Sequence, residues 1–183
     1  MCVYIATSID GFIAGEDDDL SWLPTDVDPS TSEPGALGYE QFIEGVGALL
    51  MGRRTYDVVR SFGVEWPYGE RPVLVATRRP LDGDPPPSVT AVAGTIDDLI
   101  ARARAVAGDA AVYLDGGDLI RQAAAADLID DLTLTLAPVA LGRGRALFPG
   151  LDRPYPIKVL SHHTFAGGMV QLRCRPDRSP AGG

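Results

Sequence analysis

Three short apolar runs, each ending in glycine or basic residues, constrain this chain more than any other feature. Ala48 to Met51 leads into Gly52-Arg53-Arg54-Thr55-Tyr56, Val73-Leu74-Val75-Ala76 into Thr77-Arg78-Arg79-Pro80, and Val112-Tyr113-Leu114-Asp115 into Gly116-Gly117. A strand that hands a glycine and then basic or hydroxyl residues to a helix start brings free backbone N–H groups and positive charge to one point, which makes an anion seat. Three such exits on one sheet edge suggest a phosphorylated cofactor.

Between and around these runs the spacing alternates. Tyr39, Phe42, Ile43 and Val46 recur at helical intervals and predict an amphipathic helix feeding the Ala48 strand. Thr95 to Asp98 has the pattern of a capping box with Asp in place of Glu, and Ile96, Leu99, Ile100, Ala103 and Ala107 continue the helix to Gly108. An alanine-rich helix is expected over 117–126. Val3 to Ser8 reads as a strand before the Asp10-Gly11 turn, and Val89 to Val92 as a short strand after the Pro85-Pro86-Pro87 connector. Leu132, Leu134 and Leu136, and later Val170, Leu172 and Cys174, alternate with other side chains at period two. Strands alternating with helices, then consecutive strands, predict an α/β fold. Its sheet is mixed and mainly parallel, covered by helices on both faces, with an antiparallel hairpin at the C-terminal edge. Residues 1–175 are expected to form a single domain, 176–183 a flexible tail, and the acidic, proline-interrupted stretch 17–31 a mobile loop.

A formal charge of −9 over 183 residues argues against a nucleic-acid or anionic-membrane partner, since those need a broad basic face. Any bound anion must then be held by a local cluster. Two cysteines, Cys2 and Cys174, are too few for a disulfide framework and read as structural thiols. The N-terminus reaches a strand without a basic n-region or an apolar h-region, so no secretory signal is expected and the cytoplasm is the expected location. His162-His163 is the one histidine pair; on a strand the two side chains point to opposite faces, so no metal site is expected. Nucleophile-elbow, Walker and Gly-x-Gly-x-x-Gly patterns do not occur, nor does the His-x-Glu with Pro-Cys-x-x-Cys of zinc deaminases.

Five segments, in this order and spacing, resemble the dihydrofolate reductase-like superfamily and, within it, the RibD C-terminal domain, the reductase of riboflavin biosynthesis. They are Ser8-Ile9-Asp10-Gly11-Phe12-Ile13-Ala14, Met51 to Tyr56, Val73 to Arg78, Leu114-Asp115-Gly116-Gly117, and Leu136-Ala137-Pro138-Val139-Ala140-Leu141-Gly142. The likeness runs from Ser8 to about Leu172. It implies a three-layer α/β/α fold, NADPH as cofactor and hydride transfer to a small heterocyclic substrate. The activity it implies is 5-amino-6-(5-phosphoribosylamino)uracil reduction, with a dihydrofolate or pterin reductase as the alternative enzyme. A nucleotide-binding module without turnover is the alternative from another class. A homodimer is expected from the same likeness.

The resemblance also assigns roles. Ala6, Ile13, Gly52, Arg53, Arg54, Thr55, Thr77, Arg78, Gly116, Gly117, Asp118 and Leu119 are the expected cofactor contacts. Thr77 and Arg78 are expected to clamp the 2′-phosphate that separates NADPH from NADH, and Gly116-Gly117, where relatives often carry a strained cis peptide, to receive the pyrophosphate. Asp118 suits a helix start yet would repel a phosphate, so its carboxylate is expected to point away. On the substrate side, Asp10 is the candidate catalytic residue, for substrate binding or proton relay, or else only a turn-former. Trp22, Tyr39 and Phe42 are the candidate aromatic wall for a flat heterocycle, with the helix core as the other place for Tyr39 and Phe42. Asp26 stands near the acid that protonates pterins in folate reductases, but the prolines around it break the helix that would carry it. Residues 16–47 contain no Lys, Arg or His, unlike the basic lining with which the riboflavin enzyme grips its substrate's phosphate. The substrate is therefore unphosphorylated, or its phosphate meets Arg143 or Arg145.

Overall fold

Alternate burial along the strands divides the core into two faces of one sheet. The computed structural model describes residues 1–24 and 28–179. Its elements are β1 (Cys2–Ser8), β2 (Phe12–Ala14), α1 (Tyr39–Glu44), β3 (Val46–Gly52), α2 (Arg53–Ser61), β4 (Val73–Ala76), β5 (Val89–Val92), α3 (Ile96–Ala107), β6 (Ala111–Asp115), α4 (Gly117–Ala125), β7 (Asp131–Ala137), β8 (Arg145–Ala146), β9 (Ile157–Phe165) and β10 (Met169–Pro176). Val3, Ala48, Leu50, Leu74, Val112 and Leu114 project to one face and are covered by Leu99, Ile100 and Ala103 of α3 and Leu119, Ile120 and Ala123 of α4. Leu49, Met51, Val73, Val75 and Tyr113 project to the other, under Tyr56 of α2 and Phe42 and Ile43 of α1. The result is the expected three-layer α/β/α arrangement.

The main sheet has eight strands in the order β5-β4-β3-β6-β1-β7-β10-β9. Strands β5 through β7 in that order are parallel to one another, whereas β10 runs antiparallel to β7 and to β9. The C-terminal hairpin thus closes one edge, as the period-two pattern predicts. From the neighbouring strands β3 and β6 the chain departs in opposite directions: β3 leads through α2 to β4, and β6 through α4 to β7. Between such divergent exits no crossing segment closes the sheet edge, so a crevice opens at the C-terminal ends of the two strands, the usual ligand position of open α/β sheets.

Several local features depart from the sequence expectations. Helix α1 stops at Glu44 because the Gly45 amide caps back to Phe42, and Val46 belongs to β3. The small sheet of β2 and β8 was not foreseen, since two- and three-residue strands carry no period. Residues 177–179 are not a loose tail. Arg178 donates to the Asp127 carboxylate at 2.9 Å and to the carbonyls of Asp127 and Ile129 at 3.0 and 2.8 Å. At the start of the 17–31 stretch, Asp18 is tied by the ion pairs described below. The segment entering α1 is held by Gln171 of β10. The Gln171 carboxamide accepts from the Leu37 amide at 2.6 Å and donates to the Leu37 carbonyl at 2.9 Å, so it pairs with that backbone as a strand would. Among the described residues no helix is long and apolar enough to cross a membrane, and no His/Cys/Asp/Glu cluster could hold a metal.

Candidate active site

The crevice between the β3 and β6 exits widens into a cavity of about 1120 Å³, at the upper end of the roughly 300–1,000 Å³ usual for small-molecule sites. Register brings its two glycine exits together: Met51 pairs with Asp115, which sets Gly52 beside Gly116. Helices α2 and α4 begin at these glycines without a side-chain cap, so both present unsatisfied N–H groups there. Gly116 has φ +99°, and a Cβ at that position would collide with Thr55 Oγ1. A side chain is excluded there by backbone conformation and by space. The peptide is trans, since no cis bond occurs among the described residues.

All twelve expected cofactor positions line this cavity: Ala6, Ile13, Gly52, Arg53, Arg54, Thr55, Thr77, Arg78, Gly116, Gly117, Asp118 and Leu119. Their side chains are not equally available. The Arg53 guanidinium is consumed by structure. It donates to Asp57 at 2.8 Å, to the Pro80 carbonyl at 2.7 Å and to Asp82, stitching the connector after β4 to α2. Arg54 and Arg145 both pair with Asp18, and their hydrogen bonds hold that carboxyl below the usual range against its partial burial. Asp118 folds back along its helix, accepting from Arg121 at 2.7 Å and Gln122 at 2.9 Å, as expected of a carboxylate turned from an anion. Arg78 and Arg79, at the β4 exit, line the cavity and have no carboxylate partner among the described residues. Thr77 shapes this exit through a turn in which its hydroxyl accepts from the Arg79 amide at 3.1 Å.

None of the four substrate-side candidates lines the cavity. Asp10 clamps a distant loop: its carboxylate accepts from the Ser8 hydroxyl at 2.6 Å and from the amides of Leu141 and Gly142 at 3.0 and 2.7 Å. These bonds, Ser8's foremost, bring its pKa down to about 2. A carboxylate so held stays ionised and is a poor proton relay. Trp22 is turned to donate from Nε1 to the Asp19 carbonyl at 3.1 Å, and Leu20 and Leu23 form the lip instead. Phe42 stacks on Tyr4 with ring centroids 4.7 Å apart and meets Tyr113 edge-on at 5.0 Å, and Tyr39 meets Tyr4 edge-on at 5.8 Å. Both therefore back the wall, and Tyr4 and Tyr113 are the rings that reach the cavity. Asp26 lies outside the described residues. Arg143 stands 3.7 Å from Glu16 and does not line the cavity.

One residue at the centre went unassigned from sequence. Asp115, the last residue of β6, opens onto the cavity but is otherwise ringed by protein. Burial pushes its carboxyl up to about 6, partly offset by the Gly116 amide and the Tyr113 and Tyr68 hydroxyls. A carboxyl in a cleft that titrates near neutrality is a candidate acid. The signal was present as Leu114-Asp115-Gly116-Gly117, an acidic residue ending an otherwise apolar strand.

Comparison with known proteins bears on the family and the fold. The family model for the RibD C-terminal domain matches residues 1–171. Uncharacterized protein YwjB of Bacillus subtilis (strain 168) is 32% identical over 170 residues, covering 93% of this chain and 94% of its own. A crystal structure of a candidate riboflavin biosynthesis protein from Shewanella sp. PV-4 is 32% identical with a TM-score of 0.79, over 97% of this chain and 98% of that one. The same fold recurs in a Thermotoga maritima diaminohydroxyphosphoribosylaminopyrimidine deaminase/5-amino-6-(5-phosphoribosylamino)uracil reductase, at 17% identity and a TM-score of 0.64, with 96% of this chain matching 56% of that longer one.

Proposed function

Because this chain belongs to the RibD C-terminal domain family, we propose that it is an NADPH-dependent reductase acting on a flat heterocycle. By family the substrate class is a pyrimidine of the riboflavin route. The observation that carries this reading is the pair of uncapped helix starts, at Gly52 and Gly116, meeting in one crevice beside the unpaired Arg78 and Arg79. That donor set fits a dinucleotide: bare N–H groups for a pyrophosphate, and cations for an additional phosphate. When bound, NADPH supplies a hydride from its nicotinamide C4.

The chain's own residues have separate tasks in this reading. Gly52 and Gly116 let backbone approach the pyrophosphate, and Thr77, Arg78 and Arg79 hold the 2′-phosphate. Tyr4 and Tyr113 orient the heterocycle on the inner wall, with Phe42 and Tyr39 holding those rings in place. Leu20 and Leu23 screen the mouth from water. Asp115 delivers a proton to the nitrogen or oxygen of the reduced C=N or C=O bond and is reprotonated from solvent through the cavity. A donor works in its protonated form, so turnover falls about tenfold per pH unit above about 6. The homodimer is assigned to the edge strand β9, where Val159 and Leu160 are each half-exposed, and the cytoplasm is the proposed location.

Loss of reduced-nicotinamide absorbance, followed with pyrimidine and pterin substrates, tests the proposal. Steady oxidation with a pyrimidine supports it, and oxidation with a pterin alone moves the assignment to the pterin reductases. Quenching of Trp22 and Trp66 fluorescence by NADPH without turnover on either would leave a nucleotide-binding module. No quenching and no turnover would remove the reading.

A further inference from the structure

Asp18 is held between two arginines at the edge of the cavity. Its Oδ1 accepts from Arg54 Nε and from Arg145 Nε, each at 2.6 Å, and its Oδ2 accepts from Arg54 at 2.7 Å. Arg54 comes from the first turn of α2 and Arg145 from β8, and all three residues line the cavity. Two guanidinium groups from separate elements, aimed at one oxygen beside an uncapped helix start, carry more N–H donors than one carboxylate can accept, with Asp17, Asp19 and Asp57 also standing near Arg54. Both side chains are about half exposed, 55% for Arg54 and 45% for Arg145, so donors remain open to the cavity. A tetrahedral phosphate, with more oxygens and up to two charges, fits that set better.

Asp18 also sits in an unfavourable conformation. Asp17 and Asp18 have φ of +55° and +62°, and each left-handed residue without a glycine costs roughly 1 kcal/mol or more. Two backbone bonds close the turn, the Gly15 amide to the Asp19 carbonyl at 2.8 Å and the Asp19 amide to the Glu16 carbonyl at 3.0 Å, and the side-chain ties that add to them are the two Asp18 ion pairs and the looser contact of Glu16 with Arg143 at 3.7 Å. An incoming anion that takes over the arginines removes the side-chain part of that hold.

We propose that Arg54 and Arg145 form an oxyanion seat for a ligand's phosphate, filled in the free protein by the chain's own Asp18, so that phosphate binding expels Asp18 and frees the 16–19 turn. The ligand's identity rests on the reductase reading, because a cofactor diphosphate and a substrate phosphate share this chemistry. The seat itself does not depend on that reading.

Asp18→Asn removes the charge but keeps a residue that tolerates left-handed backbone. Calorimetry with inorganic pyrophosphate should show affinity about fivefold tighter than in the natural protein, the scale of two exposed ion pairs. Pyrophosphate should also speed limited proteolysis within 16–24 in the natural protein, whereas Asp18→Asn should be cut quickly without it. Arg145→Ala should weaken pyrophosphate instead. Parallel titrations with NADPH and with ribose 5-phosphate separate the two sources: a gain in Asp18→Asn for NADPH alone assigns the seat to the cofactor, and a gain for ribose 5-phosphate alone assigns it to the substrate. A pyrophosphate gain with no NADPH binding in either protein keeps the seat and sinks the cofactor reading. Unchanged or weaker pyrophosphate binding in Asp18→Asn overturns the proposal.

Discussion

Helix α3 and the pair α2 and α4 start in opposite ways. At α3 the Thr95 hydroxyl accepts from the Asp98 amide at 3.3 Å, and the Asp98 carboxylate accepts from the Thr95 amide at 3.1 Å. That helix caps its own start, although Gly94 and Leu99 beside it line the same cavity. At α2 and α4 the capping position is glycine, no side chain closes the end, and both ends face the same cavity. Glycine in place of a capping side chain forfeits only roughly a few tenths of a kcal/mol, and it leaves the amides of two adjacent strand exits open to acceptors that a ligand could supply. In this fold the candidate site is therefore marked by what the helix starts lack.

The strongest way to break this contrast is to fill one of the bare starts. Gly116→Ala forces a side chain onto Thr55 at φ +99°, and with roughly 1–3 kcal/mol of backbone strain alone NADPH affinity should fall by about 100-fold in fluorescence titration. Unaltered affinity would mean that the α4 start is not part of the seat. Next comes the carboxyl that precedes it. Asp115→Asn should lower kcat by about 100-fold yet stabilise the protein. The folded pKa, about 6, lies above the unfolded value, so the natural residue's favourable contribution is complete below the unfolded pKa and is lost as pH rises through about 6. At pH 8 the variant should gain about 2–3 kcal/mol in urea unfolding, a gain that disappears near pH 4. A variant that loses both activity and stability would make Asp115 structural.

Smaller effects sharpen the contrast. Arg78→Ala should weaken NADPH about tenfold and leave NADH unchanged, as expected of one charge-assisted contact to the 2′-phosphate; equal loss for both dinucleotides would move Arg78 to the pyrophosphate. Thr95→Ala should cost about 1 kcal/mol of stability in chemical denaturation with no change in NADPH affinity. A change in affinity there would show that α3 is not the self-contained helix its capping box makes it.

The glycine-bearing wall of the cavity was legible in the sequence because its signals are local. A strand, a glycine and a hydroxyl or basic residue lie within five positions, and parallel pairing then sets such exits side by side. Residues 95–98 announced their capping box for the same reason. The substrate wall depends on distances the sequence does not show. Asp10 looked free until the amides of Leu141 and Gly142 were brought to it, and Arg53 looked available until Asp82 was. Tyr39 and Phe42 read equally as an aromatic wall for substrate or as helix core, and they pack on Tyr4 behind the cavity because of the face of β1 and β6 from which Tyr4 and Tyr113 project. Asp115 was visible as a residue and invisible as an acid, since burial shifts its pKa and burial is a property of the assembled sheet.

The bond between Gln171 and Leu37 spans 134 residues, and it fixes a sequence of events. As the chain leaves the ribosome, β3 and β6 are made long before β10, and the stretch entering α1 can meet Tyr4, whose hydroxyl donates to the Leu37 carbonyl, but the Leu37 amide gains its side-chain partner only when Gln171 emerges. The strut behind the aromatic side of the cleft is accordingly completed by the C-terminal strand.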